Sequence, residues 1–262
     1  MSTLINVNVS GVSAHRCGAR FLAGAREALM ATPWLFRMRF LDLLFAHWPV
    51  PAEALRRLLP DDPALELDEF DGTGWLGVVP FTMTDLSVRG LPASPRLSTF
   101  PEVNLRTYVR YRGLPGVWFL SLDVRSRPGV LAGRIGFHLP YHDAEMVAVQ
   151  RAHGVAIRSV RRGRGPDARF VARYSPVGPV MEAVADSFET WATVRMRQFA
   201  ADRKGRIWRS EIDHGPWPLQ PAEATIDAAE LVAAAGLALP DAAPIVQFSR
   251  CLDVHAWLPV RA

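Results

Sequence analysis

Glu102-Val103-Asn104-Leu105-Arg106-Thr107-Tyr108-Val109-Arg110-Tyr111 alternates without a break. Glu102, Asn104, Arg106, Tyr108 and Arg110 share one parity, while Val103, Leu105, Thr107 and Val109 share the other. Successive side chains of a β-strand point to opposite faces, so the spacing predicts a strand with an acid, an amide, a guanidinium and a phenol along one side. Such a ladder can orient a small anionic or carbonyl compound. A solvated outer face held by cross-strand ion pairs has the same pattern, and alternation alone leaves both readings open.

Working outward, Arg112-Gly113-Leu114-Pro115-Gly116 predicts a turn into a second strand, Val117 to Val124, whose nearly continuous apolar run implies burial on both faces. Upstream, Ala64 to Phe70 and Trp75 to Met83 read as a strand pair joined through Asp71-Gly72-Thr73-Gly74. Pro51 and Pro60 bracket a helix with Leu55, Leu58 and Leu59 on its apolar stripe. Leu86 to Phe100 reads as a long Pro-, Ser- and Gly-rich loop.

Downstream, a short helix is expected over Arg127 to Ala132 and a hairpin over Val155 to Val160 and Arg169 to Tyr174. Met181 to Trp191 has helical spacing, and Asp227 to Ala235 reads as a helix ended by Gly236. Alternation returns in Thr193 to Phe199 and Arg206 to Ile212 around Asp202-Arg203-Lys204-Gly205, and Val246 to Val260 supplies the last strands. Closely spaced strands with short turns predict an antiparallel barrel or sandwich. Residues 1–30 read as an extension with one short helix at Arg20 to Met30, and residues 31–262 as a single domain without repeats.

The 262 residues are 49% hydrophobic and 21% charged, the balance of an ordinary globular protein. Cys17 and Cys251 lie far apart without CxxC spacing, which argues against a disulfide scaffold or thiolate zinc site and fits a reducing cytoplasm. No apolar run reaches the roughly 20 residues of a membrane span, and Met1 to Gly18 lacks the pattern of a secretory signal. Of the 30 basic residues 29 are arginine, and Lys204 is the one lysine.

Arg158, Arg161, Arg162, Arg164, Arg169 and Arg173 form a basic cluster open to a nucleic-acid reading. No recognised binding motif accompanies it, and a solvated hairpin turning at Arg162 to Asp167 describes it more simply. His138 and His142 have i, i+4 spacing, but Pro140 between them forbids an ordinary helix, so no metal is expected. Neither a P-loop, a GxGxxG stretch nor a GxSxG elbow occurs, and no cofactor is expected.

Phe45 to Val50, Phe70-Asp71-Gly72, Gly77 to Phe81, Glu102 to Val109, Gly116 to Asp123, Leu139-Pro140-Tyr141 and His214 to Leu219 follow one another as in the YqjF-like family, DUF2071. The chain resembles that bacterial family of unassigned function over roughly residues 33 to 260. More distantly the family resembles the acetoacetate decarboxylase superfamily. This implies a β-rich α+β fold, an antiparallel β-barrel with peripheral helices, and an internal pocket for a keto acid.

The decarboxylases carry Gly-Arg-Glu followed by an aromatic-Pro-Lys-Lys stretch whose first lysine forms the Schiff base. Here Gly133-Arg134 is followed by Leu139-Pro140-Tyr141-His142, so Tyr141 and His142 stand at the lysine positions. Glu102 falls at the place of a pocket glutamate. Imine chemistry needs an unprotonated amine. Lys204 sits in a stretch that reads as an exposed turn, so a lysine-imine decarboxylation is not expected.

The expected catalytic set is therefore Glu102 as proton carrier, with Tyr141 and His142 polarising a carbonyl or relaying a proton. Arg106 and Arg134, with Asn104 and Tyr108, are the expected contacts to a substrate carboxylate. Internal ion pairs and buried, satisfied polar groups are the competing reading for each. The function expected is acid–base chemistry beside a carbonyl, of enolisation, dehydration, cyclisation or lyase type, on a small carbonyl or carboxylate compound. A non-catalytic small-molecule binding protein is the alternative. An exposed strand edge would admit a homo-oligomer, and no membrane partner is expected.

Overall fold

A computed structural model describes residues 33–93, 98–125, 127–152, 154–163, 165–182 and 184–262. The expected extension and its helix at Arg20 to Met30 lie outside the described residues. The strands are β1 (Phe36–Val50), β2 (Leu65–Leu67), β3 (Gly74–Val88), β4 (Phe100–Tyr111), β5 (Leu114–Val124), β6 (Tyr141–Arg151) and β7 (Gly154–Arg161). They continue as β8 (Arg169–Pro176), β9 (Arg197–Ala201), β10 (Ile207–His214), β11 (Leu219–Asp227), β12 (Ile245–Ala256) and β13 (Val260–Arg261). Among the described residues four short helices decorate them: α1 (Ala52–Arg56), α2 (Arg127–Gly136), α3 (Phe188–Thr193) and α4 (Ala229–Ala233).

The strands close two rings. β5-β6-β7-β8-β11-β12-β1-β3-β4 returns to β5 as a nine-stranded barrel. The β9–β10 hairpin then bridges β5 to β12 across the other side of the wall β12-β1-β3-β4-β5. Two strands make this branching feasible by dividing one edge between partners. β5 gives Leu122 to Val124 to β6 but Val117 and Trp118 to β9. β12 gives Gln247 to Ser249 to β11 but Val254 to Ala256 to β10.

The shared wall is therefore two-sided. Toward the nine-stranded interior it presents Leu44, Ala46, Leu76, Val78, Val103 and Leu105, packed with Met146, Ile157, Phe170, Phe248 and Leu231 of α4 into one apolar core. Burying each large aliphatic or aromatic side chain of this kind contributes roughly 1.5–3 kcal/mol.

Three bulges decide which residues face which side. Asp42 takes φ 50° in β1, Asp85 takes φ 54° in β3, and Leu120 is skipped where Leu105 pairs Ser121 and Arg106 pairs Phe119. An extra residue shifts the parity of everything after it. Asp42 is anchored for this role: Arg250 Nη1 donates to its carboxylate at 2.5 Å, Gln150 donates to it as well, and Tyr174 donates to its carbonyl at 2.8 Å.

Several expectations change. β2 pairs with Val109 to Tyr111 of β4, not with β3, and only Phe70 and Thr73 bridge across the Asp71–Gly74 turn. Both edges of β3 are already taken by β1 and β4, so β2 extends the sheet where β3 has ended. The helix expected over Met181 to Trp191 shrinks to α3, because Ser187 caps it by accepting from Thr190 N–H at 3.2 Å. Strand β3 runs on to Val88 and shortens the expected loop, whose residues 94–97 lie outside the described residues.

The expected helix at Arg127 extends to Gly136, and Arg112 (φ 51°) with Gly113 (φ 77°) forms the tight turn from β4 to β5. In the basic cluster, Arg161 pairs with Asp123, Arg162 with Glu145 and Arg169 with Asp227, while Arg164 lies outside the described residues. Among the described residues no helix is long and apolar enough to cross a membrane.

Candidate functional site

A cavity of about 290 Å³ occupies the second ring, with residues of β1, β3, β4, β5, β9, β10 and β12 in its walls. Most of the lining is apolar and aromatic: Phe36, Phe40, Phe81, Phe100, Phe119, Phe137, Trp217, Met38 and Met83. Against it stands the polar parity of β4, for Glu102, Asn104 and Arg106 all line the cavity.

Part of their hydrogen-bonding capacity is unspent. Glu102 Oε2, Asn104 Oδ1 and Arg106 Nε are buried without a protein partner. A buried polar atom left unpaired costs about 1–3 kcal/mol, more when charged. Three such atoms lie on one stripe of one strand and face one cavity, an arrangement that can meet the polar groups of a ligand.

Burial pushes the Glu102 carboxyl up to about 8, the Asp123 carboxylate pushes it the same way, and a hydrogen bond from Asn104 opposes both. Glu102 is therefore mostly protonated at neutral pH and can donate. Tyr141 also lines the cavity, and burial followed by Glu102 raises its phenol well above the ordinary range, so it too remains a donor. Its ring lies against Gly133 of α2, where a Cβ would sit 2.3 Å from Tyr141 Cδ2. Only glycine lets the helix approach this closely.

The remaining expected residues stand elsewhere. His142 follows Tyr141 on β6 and is absent from the cavity lining, as strand alternation requires. Burial, then Arg161 and Arg134, lower its imidazole to about 4. Arg134 is exposed on α2, and its Nε donates to the Tyr141 carbonyl at 2.6 Å. Tyr108 keeps the parity of Arg106 but is fully buried behind it, with its hydroxyl 2.5 Å from His47 Nε2. The Arg195 guanidinium lies 5.0 Å from the Tyr108 ring.

Arg195 and Arg197 escaped the sequence reading, whereas His214, which reads there as a strand end able to reach a pocket rim, lines the cavity with them. Arg195 pairs with Asp68 at 2.5 Å and Arg197 with Glu211 at 3.3 Å. Arg106 forms no ion pair among the described residues; its guanidinium lies 5.3 Å from the Phe45 ring. It is thus the cavity arginine whose charge is not already matched. His214 donates Nδ1–H to the Gly215 carbonyl at 2.7 Å, which leaves Nε2 as an acceptor. Burial lowers its imidazole, so it is neutral at pH 7. Lys204 lies in the exposed β9–β10 turn and lines no part of the cavity.

Comparison with known proteins places this architecture. Residues 37–253 match the DUF2071 model, described as an uncharacterized conserved protein family. The uncharacterized protein YqjF of Bacillus subtilis (strain 168) is 40% identical over 228 residues, covering 87% of this chain and 92% of that protein. Among solved structures, acetoacetate decarboxylase from Legionella pneumophila superposes with a TM-score of 0.62 at 14% identity, covering 94% of this chain and 98% of that one. The enduracididine biosynthesis enzyme MppR complexed with pyruvate gives 0.58 at 14% identity, covering 93% and 98%. These likenesses show the fold: the protein belongs to the DUF2071 family, a relative of YqjF built on the acetoacetate-decarboxylase-like barrel.

Proposed function

We propose that the cavity binds a small carbonyl-containing carboxylate and that Glu102 and His214 move protons beside its carbonyl. The observation that carries this reading is the row of unpartnered polar atoms on Glu102, Asn104 and Arg106 within an otherwise apolar cavity. Arg106 binds the carboxylate through its uncompensated charge. Tyr141 and protonated Glu102 donate to the carbonyl oxygen.

Enolisation is the simplest reaction such a set performs. Glu102 gives its proton to the carbonyl oxygen while neutral His214 Nε2 takes one from the adjacent carbon. The C–H electron pair becomes the enol double bond and the carbonyl π pair moves to oxygen. Reversal in deuterated water places deuterium on that carbon. MppR, complexed with pyruvate, offers an example of a 2-oxo acid bound on the same fold. Lys204 has no part in the scheme.

The test is proton–deuterium exchange at C3 of 2-oxo acids, followed by NMR. Glu102→Gln should slow exchange by about 100-fold or more while ligand affinity is kept. Exchange should also fall as pH rises through about 8, where Glu102 loses its proton. Binding without exchange in the wild-type protein would establish a non-catalytic binding protein instead. Absence of binding to any 2-oxo or 3-oxo acid would overturn both.

A further inference from the structure

We infer that the ligand is an amphiphile: a carboxylate with an extended alkyl or aryl body, not a compact acid the size of pyruvate. The inference rests on the carboxylate reading of Arg106 and concerns what fills the rest of the cavity. Register gives the wall an axis. Arg106 stands opposite Gly77, Asn104 opposite Val79, Glu102 opposite Phe81 and Phe100 opposite Met83. Phe40 pairs with Met83, and Phe36 with Val88, further along the same axis.

Polar groups on the shared wall thus occupy one end and stop at Glu102. Beyond it the cavity face of the wall offers Phe36, Met38, Phe40, Met83, Leu86 and Phe100. The four residues from Phe40 to Phe36 add roughly 13 Å of strand at about 3.3 Å per residue. A compact keto acid held at Arg106 leaves that apolar end in contact with water. An apolar body covers it and gains about 0.8 kcal/mol per buried methylene, or close to fourfold in affinity. The two methionines can adapt to alkyl and aryl shapes alike.

Calorimetric titration with straight-chain 2-oxo acids from pyruvate to 2-oxodecanoate, and with phenylpyruvate, tests this. Affinity should tighten about fourfold per added methylene until the cavity is full, and then level off. Leu86→Trp, at the half-buried end of the apolar stretch, should weaken only the long members. Met83→Trp repeats that test deeper in the cavity, and urea unfolding of both variants verifies that they fold. Affinity independent of chain length, or pyruvate binding as tightly as 2-oxooctanoate, would overturn the inference and leave the proposed pocket standing. Failure of the whole series to bind, or binding unaffected by Arg106→Met, would overturn the pocket reading itself.

Discussion

Val103 and Leu105 on one side of β4, and Glu102, Asn104 and Arg106 on the other, are neighbours in sequence with opposite surroundings. The first pair is wholly buried in an apolar core that strands β6, β7, β8 and β11 close over. The second set meets a cavity closed by only two strands, β9 and β10, together with the segment from Gly133 to Tyr141. Four strands and helix α4 fill the space over one face, whereas two strands leave the other hollow. The difference separates packing from polar chemistry: the filled side supplies packing energy, and the hollow side keeps desolvated polar groups that packing alone would remove.

The largest effect expected from this contrast concerns pH. Glu102 titrates near 8 in the folded protein against an ordinary value of 4.5. A raised carboxyl stabilises the fold fully below the unfolded value, and that contribution disappears as pH rises through the folded value. Wild-type stability should therefore fall, relative to Glu102→Gln, by on the order of 4 kcal/mol from below 4.5 to above about 8. Urea unfolding of both proteins across that range measures the difference, and parallel curves would show that Glu102 is not held neutral.

On the filled side, Leu105→Ala should cost about 3 kcal/mol, because the lost side chain leaves a void that a packed barrel cannot close. Denaturant titration reads this directly, and a cost under about 1 kcal/mol would mean that the nine-stranded core is not tightly packed.

Between the two regions, Gly133→Ala brings a methyl group into the Tyr141 ring. Alanine ordinarily favours a helix over glycine, but here overpacking should destabilise by about 1–2 kcal/mol and displace the phenol. Near-ultraviolet circular dichroism and ligand affinity should change together. Smallest in magnitude, Asn104→Leu removes a buried unpartnered carbonyl together with the hydrogen bond to Glu102; the two offset, so stability should change by less than about 1 kcal/mol while ligand binding is lost. A destabilised Asn104→Leu protein would show that its amide is structural.

Some of this was legible in the chain. Unbroken alternation put Glu102, Asn104 and Arg106 on one face of a strand, and local turn chemistry at Arg112-Gly113 and Asp202 to Gly205 delimited the hairpins. Resemblance pointed to the barrel. Tyr141 lines the cavity, whereas Arg134 and His142 do not, since Arg134 is exposed on the helix and His142 alternates away from the lining.

What the sequence determined by itself was periodicity: which side chains of β4 must point the same way. It could not say whether that way led to solvent, to core or to a cavity, because period 2 is identical in all three. The tertiary structure decided that by closing β9–β10 over one face and β6-β7-β8-β11 over the other. Long-range pairing also seated the bulges at Asp42, Asp85 and Leu120, and it brought His214 and Arg195 to the cavity of Glu102 from about a hundred residues away. Local propensity acts over a few residues, while the environment of a side chain is set by whichever distant strand covers it.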